Sequence, residues 1–137
     1  MDMIEAIVQI VLKSHPDTQA VYLFGSYGTE DEWPDSDVDI ALLLPVDKAK
    51  TSGSLAMGEP RFELEALLGK TVDMINVRQV STVFQKEIIF ADRRIYTGDE
   101  YAAEEFEMLT MSFYQKLNEE RREILDEFWR TGRAYRV

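Results

Sequence analysis

Asp37 and Asp39 are separated only by Val38, and the apolar run of residues 40–44, IALLL, follows directly. Side chains on an extended strand alternate between faces, so carboxylates two residues apart point the same way. Two like charges held this close repel. The chemistry that offsets them is a hard divalent cation bound through oxygen, and Mg²⁺ is the one that keeps open positions for substrate phosphates. Upstream, a second apolar run, residues 21–24 (VYLF), ends in Gly25-Ser26. Gly25 lets the backbone approach a ligand closely and Ser26 adds a hydroxyl, so the turn is suited to aim N–H donors at a phosphate. The pattern is a phosphate cradle beside metal-binding carboxylates.

Both runs are short, apolar and bounded by polar residues, which predicts two buried strands. Before them, Ile4, Ile7, Val8, Val11 and Leu12 recur at helical spacing, with Asp2 near the start and Pro16 beyond the end. His15, the one histidine, falls at the exit of that helix and reads as a solvated cap residue rather than a base. Residues 45–58 are rich in Pro, Lys, Ser and Gly and predict a loop, either a plain connection or a cover over substrate. Pro60 suits the first turn of a helix whose apolar stripe, residues 62–68, is ended by Gly69.

Residues 71–77 predict a strand in which Val72 and Met74 alternate against Thr71, Asp73 and Ile75. A helix is expected over residues 80–90, with Val80, Val83, Phe84 and Ile88 on one side, and a short strand over residues 93–96. Arg78, Lys86, Arg93 and Arg94 are candidate phosphate contacts, each with an ordinary alternative as a solvated charge. Helical spacing continues over residues 99–130, with acids at the start that suit the positive end of the macrodipole. Phe113, Tyr114, Phe128, Trp129 and Tyr135 in this tail belong either to a capping helix on the sheet or to a partner surface.

Gly25-Ser26, ten intervening residues and Asp37-Val38-Asp39 together resemble the signature of the polymerase-beta-like nucleotidyltransferases. The likeness runs through Pro34-Asp35-Ser36 and on to residues 64–75, LEALLGKTVDMI, which look like the family's second helix and third-carboxylate strand. It covers residues 4–98 and is nearest to the MNT-type minimal nucleotidyltransferases, the antitoxin partners of HEPN-domain RNase toxins. The resemblance implies an α+β fold: a small mixed β-sheet with helices packed on it, and a helical turn opened by Gly-Ser. Residues 1–98 would form the nucleotidyltransferase core and 99–137 a C-terminal helical extension of the same domain. It also implies that Asp73 joins Asp37 and Asp39 as a catalytic metal ligand and takes a proton from the attacking hydroxyl, whereas without the motif Asp73 reads as a solvent-facing edge residue. Gly25 and Ser26 would hold the β- and γ-phosphates of ATP, with two Mg²⁺ ions. The implied acceptor is a tyrosine hydroxyl of the cognate HEPN toxin, which AMP transfer neutralises within a hetero-oligomer. The chain departs from the family at Thr29 and Glu30, where Arg or Lys and then Gly are common.

At 137 residues the chain is large enough for one domain with its own core, and the absence of cysteine excludes disulfides and thiolate metal sites. The N-terminus lacks a basic leader and no apolar run reaches the length of a membrane span, so a cytoplasmic protein is expected. A net charge of −11 weighs against a nucleic-acid substrate and favours a basic protein partner. Two other readings fit parts of the pattern: a module that neutralises the toxin by masking it, and an enzyme that transfers AMP to a cationic antibiotic.

Overall fold

The computed structural model describes residues 2–51 and 58–132. Its elements run α1 (Met3–Ser14), β1 (Ala20–Phe24), β2 (Val38–Leu43), α2 (Val46–Thr51), α3 (Glu59–Leu68), β3 (Val72–Asn76), α4 (Thr82–Phe90), β4 (Arg94–Thr97) and α5 (Glu100–Thr131). A 3₁₀ turn, Val77–Gln79, links β3 to α4. The strands form one sheet in the order β3-β2-β1-β4. β1 pairs antiparallel with β2 and β4, whereas β2 and β3 run parallel, so the sheet is mixed.

Alternation along the strands divides the core into two layers. Val21 and Leu23 of β1, with Val38, Ile40 and Leu42 of β2, pack beneath Ile7 and Val11 of α1 and Leu64 of α3. Ala20, Tyr22, Ala41 and Leu43 face the other way, against Ile88 of α4 and Ala103 and Phe106 of α5. α1 begins at Asp2, whose side chain accepts from the Ile4 N–H, and ends where the His15 N–H donates to the Val11 carbonyl at 2.8 Å. His15 is a cap residue, as expected, but half-buried.

β3 is an edge strand, and side chains of α3 cap the start of its outer side. The Val72 N–H donates to Glu65 Oε2 at 2.9 Å and the Val72 carbonyl accepts from Arg61 Nε at 3.0 Å. Side chains thereby occupy backbone groups that would otherwise template another strand. α5 is tied down by Glu107, which accepts from the Tyr22 hydroxyl at 2.9 Å and from Arg94 Nη1 at 2.6 Å. Burial, together with the Glu107 charge, pushes the Tyr22 hydroxyl well above its usual range.

The helical surfaces differ most from expectation. Residues 46–51 form α2 rather than a loop, because Ala49 is buried and its carbonyl accepts from Asn76 Nδ2 and Gln79 Nε2 at 3.2 and 2.6 Å. The remainder of that expected loop, residues 52–57, lies outside the described residues. Pro60 does stand in the first turn of α3, and Gly69 closes it with a left-handed φ of 65°. Of the expected α3 stripe only Leu64 is fully buried, while Phe62 and Leu67 are exposed. α4 starts after Ser81, whose hydroxyl accepts from the Phe84 N–H, so Val80 precedes the helix; Ile88 is buried, but Val83 and Phe84 are exposed. α5 buries Ala103, Phe106 and Thr110 near its start, whereas Leu117, Ile124, Leu125 and Trp129 farther along are exposed. The capping reading therefore holds for its first half only, and Tyr135 lies outside the described residues.

Candidate active site

Phe24, the last residue of β1, is the ladder partner of Asp39 on β2. Gly25 follows with φ of 75° and turns the chain away from the sheet beside that aspartate. A Cβ at Gly25 would stand 2.1 Å from Asp39 Oδ2, so glycine is required here both by conformation and by space. The phosphate-type turn and the carboxylate strand thus abut.

Beyond Gly25 the chain makes successive turns and no α-helix before β2, so the expected helical turn is present only as i→i+3 bonding. Thr29 N donates to the Ser26 carbonyl at 3.0 Å, Glu32 N to that of Thr29 at 3.2 Å and Ser36 N to that of Trp33 at 2.9 Å. Ser26 Oγ donates to Ser36 Oγ at 3.1 Å, which closes the loop across its base. The Thr29 hydroxyl donates to the Ser26 carbonyl at 2.6 Å, so this departure from the family pattern caps the turn from within. Lys70, just before β3, donates to the Pro34 carbonyl at 3.1 Å and pairs with Glu32 at 3.4 Å.

Asp39 and Asp73 are direct partners across the parallel β2–β3 ladder. Their strands lie about 4.8 Å apart. Asp37 immediately precedes β2, two residues from Asp39. Asp39 is partly buried, whereas Asp37 and Asp73 are exposed. Partial burial, and then the charges of Asp73 and Asp37, hold the Asp39 carboxyl above its ordinary value. Among the described residues, no lysine or arginine forms an ion pair with any of the three.

An oxygen-only donor set with uncompensated negative charge fits a hard divalent cation. As their side chains stand, no three acidic or histidine groups among the described residues converge on a single point. The ladder already sets Asp39 beside Asp73, so bringing their carboxylates together requires rotation of side chains rather than movement of strands.

Of the four basic residues considered as phosphate contacts, Arg93 alone bonds to this turn, through the carbonyls of Gly25 and Tyr27. Arg78 donates to the Leu44 carbonyl and to Gln19, Arg94 pairs with Glu107, and Lys86 pairs with Glu87 beside the rings of Phe90 and Tyr114. Sequence reasoning missed Glu32, whose Oε1 accepts from the Gly28 N–H at 3.0 Å. An anion therefore already stands at a backbone donor of the turn. Nothing in the spacing of Glu32 announces this, since acids in a polar loop are ordinarily solvated.

The family model for polymerase beta nucleotidyltransferases matches residues 5–101. The chain is 32% identical over 121 residues to the protein adenylyltransferase MntA of Shewanella oneidensis, covering 88% of this chain and 84% of that protein. A crystal structure of a toxin–antitoxin with AMP-PNP superposes with a TM-score of 0.66 at 27% identity, over 92% of this chain and 98% of the other. The MNT antitoxin in complex with a tri-AMPylated Shewanella oneidensis HEPN toxin superposes with a TM-score of 0.63 at 28% identity, over 93% and 96%. With Gly25, Asp39 and Asp73 gathered at one end of a mixed sheet and matches of this extent, the chain belongs to the polymerase beta nucleotidyltransferase family.

Proposed function

We propose that this nucleotidyltransferase is the antitoxin of a HEPN-domain RNase toxin and neutralises it by transferring AMP from ATP to a tyrosine hydroxyl. The observation that carries the reading is the contact between a phosphate-type turn at Gly25 and a carboxylate ladder at Asp39 and Asp73. The names of the similar proteins supply the substrate class, since they include a protein adenylyltransferase, a complex with an ATP analogue and an AMPylated HEPN partner.

Asp37, Asp39 and Asp73 would hold Mg²⁺, two ions in all, and Gly25 and Ser26 would bind the β- and γ-phosphates. Bound there, Mg²⁺ would supply charge neutralisation for the triphosphate and a lowered pKa for the acceptor hydroxyl. Asp73, exposed on the edge strand, takes the phenolic proton. The phenolic oxygen forms a bond to the α-phosphorus while the bond from that phosphorus to the bridging oxygen breaks, and pyrophosphate leaves with the electron pair. Residues 1–98 would carry this chemistry, with the tail from residue 99 as an extension of the same domain. The toxin would bring its own recognition surface in a hetero-oligomer. Among the described residues no helix is long and apolar enough to cross a membrane; we assign the protein to the cytoplasm.

Protection from the toxin in cells tests this against masking. Asp37→Asn/Asp39→Asn is expected to abolish protection while the two proteins still co-purify. Retained protection would establish masking instead.

A further inference from the structure

The guanidinium of Arg93 grips backbone rather than a carboxylate. Its Nη1 donates to the Gly25 carbonyl at 3.4 Å and its Nη2 donates to the Tyr27 carbonyl. No ion pair among the described residues involves it. The residue is fixed from both directions along the chain. Its own carbonyl accepts from the Leu23 N–H at 2.9 Å, and Asp92 before it takes a left-handed φ of 55° where the chain turns from α4 towards β4. Gly28 leaves room for the guanidinium, because a Cβ there would stand 2.9 Å from Arg93 Nη2.

In a trans peptide the C=O and the next residue's N–H point in opposite directions. The chain has no cis peptide among its described residues. The two carbonyls that Arg93 holds belong to the same peptide units as the N–H groups of Ser26 and Gly28. A cation pulling on those carbonyls from behind fixes the peptide planes and polarises the N–H groups on the far side. The Gly28 N–H already meets an anion there, the carboxylate of Glu32 at 3.0 Å.

We propose that Arg93 is a positioning residue for the nucleotide, aiming the N–H groups of Ser26 and Gly28 at the triphosphate by clamping the carbonyls of Gly25 and Tyr27. This rests on the reading that the Gly25 turn holds ATP. A lysine does not replace it, because one ammonium lacks the planar fork that spans two carbonyls.

The test is equilibrium binding of AMP-PNP with Mg²⁺ to the full chain, together with steady-state AMP transfer to the partner, for wild type, Arg93→Gln and Arg93→Lys. Loss of two charge-assisted hydrogen bonds is expected to weaken AMP-PNP binding and raise KM for ATP by about tenfold in Arg93→Gln, with a smaller rise in Arg93→Lys. kcat should change far less, and thermal melting should stay close to wild type in the lysine variant. Wild-type nucleotide affinity in Arg93→Lys and in a folded Arg93→Gln overturns the proposal. Should the glutamine variant not fold, the lysine variant decides alone, with unchanged affinity counting against the clamp. A wild-type protein that binds AMP-PNP but transfers no AMP overturns the assigned function and leaves the clamp standing.

Discussion

Asp39 and Asp73 face each other across the parallel β2–β3 ladder, with no basic side chain among the described residues paired to either. Like charges directly opposite on a sheet are destabilising. Partial burial of Asp39 adds to the penalty, and both effects raise its affinity for a proton. The candidate site is thus held against the stability of the strand that carries it, the pattern expected where charge is kept for chemistry.

Asp39→Asn should reveal this cost. The carboxyl of Asp39 is raised in the folded state, so the fold binds that proton more tightly than the unfolded chain. Its charge therefore lowers stability above the folded pKa, and the deficit fades as pH falls through that value. Denaturant unfolding at pH 7 should show Asp39→Asn more stable than wild type, by under about 1 kcal/mol after solvent screening, with the gap closing as the solution is acidified. AMP transfer should fall by at least about a hundredfold in the same variant. A variant less stable than wild type at pH 7 would show that the carboxylate is compensated.

Gly25→Ala and Gly69→Ala separate conformational strain from crowding. Both glycines have left-handed φ, but a Cβ at Gly69 meets nothing within 4 Å, whereas at Gly25 it meets Asp39 Oδ2 at 2.1 Å. Each substitution should cost about 1 kcal/mol for backbone conformation. Gly25→Ala should in addition displace the Asp39 carboxylate and eliminate transfer, while Gly69→Ala keeps it. Equal activity in the two variants would contradict the close approach of turn and carboxylate.

Glu32→Gln tests the anion that occupies the turn. The Glu32 carboxylate accepts from the Gly28 N–H and pairs with Lys70, so a triphosphate bound at this turn, as proposed, would compete with it for a donor. Removing the charge should lower KM for ATP severalfold, and the loss of the partly exposed pair with Lys70 should cost under about 1 kcal/mol of stability. A raised KM would mean that Glu32 shapes the turn rather than competing for it.

Glu107→Ala should loosen α5 from the sheet. It leaves the half-buried Arg94 and the buried Tyr22 hydroxyl without their acceptor, which costs about 2 kcal/mol. Tyr22→Phe removes only one bond and should cost about 1 kcal/mol. The double variant should be less destabilised than the sum, because both changes act on one network. Additive losses in denaturant unfolding would show that the two bonds are independent.

The elements that carry the candidate site were more legible in the sequence than the surface around them. Gly25, Asp37 and Asp39 announce themselves because glycine at a strand end and carboxylates at period two carry local meaning. The strand bearing Asp73 was equally plain, since Val72 and Met74 alternate with it. The pairing of Asp39 with Asp73, however, depends on strand order, which is set by packing between distant segments. α2 escaped notice because a buried Ala49, bonded by Asn76 and Gln79, outweighs a loop-like composition. Phe62, Leu67, Val83 and Phe84 lie on the expected apolar stripes and are exposed, as periodicity identifies an apolar face but not whether this chain covers it. Among Arg78, Lys86, Arg93 and Arg94, residue type alone could not separate the one at the turn from the three engaged elsewhere.

The most direct test of AMP transfer is the intact mass of the proposed HEPN-domain partner after incubation with this protein, Mg²⁺ and ATP, beside an Asp37→Asn/Asp39→Asn control. A gain of one or more AMP units, lost when the modified tyrosine is replaced by phenylalanine and absent in the control, is the expected result. An unchanged mass, with the two proteins still bound to each other, would contradict enzymatic neutralisation and leave masking in its place.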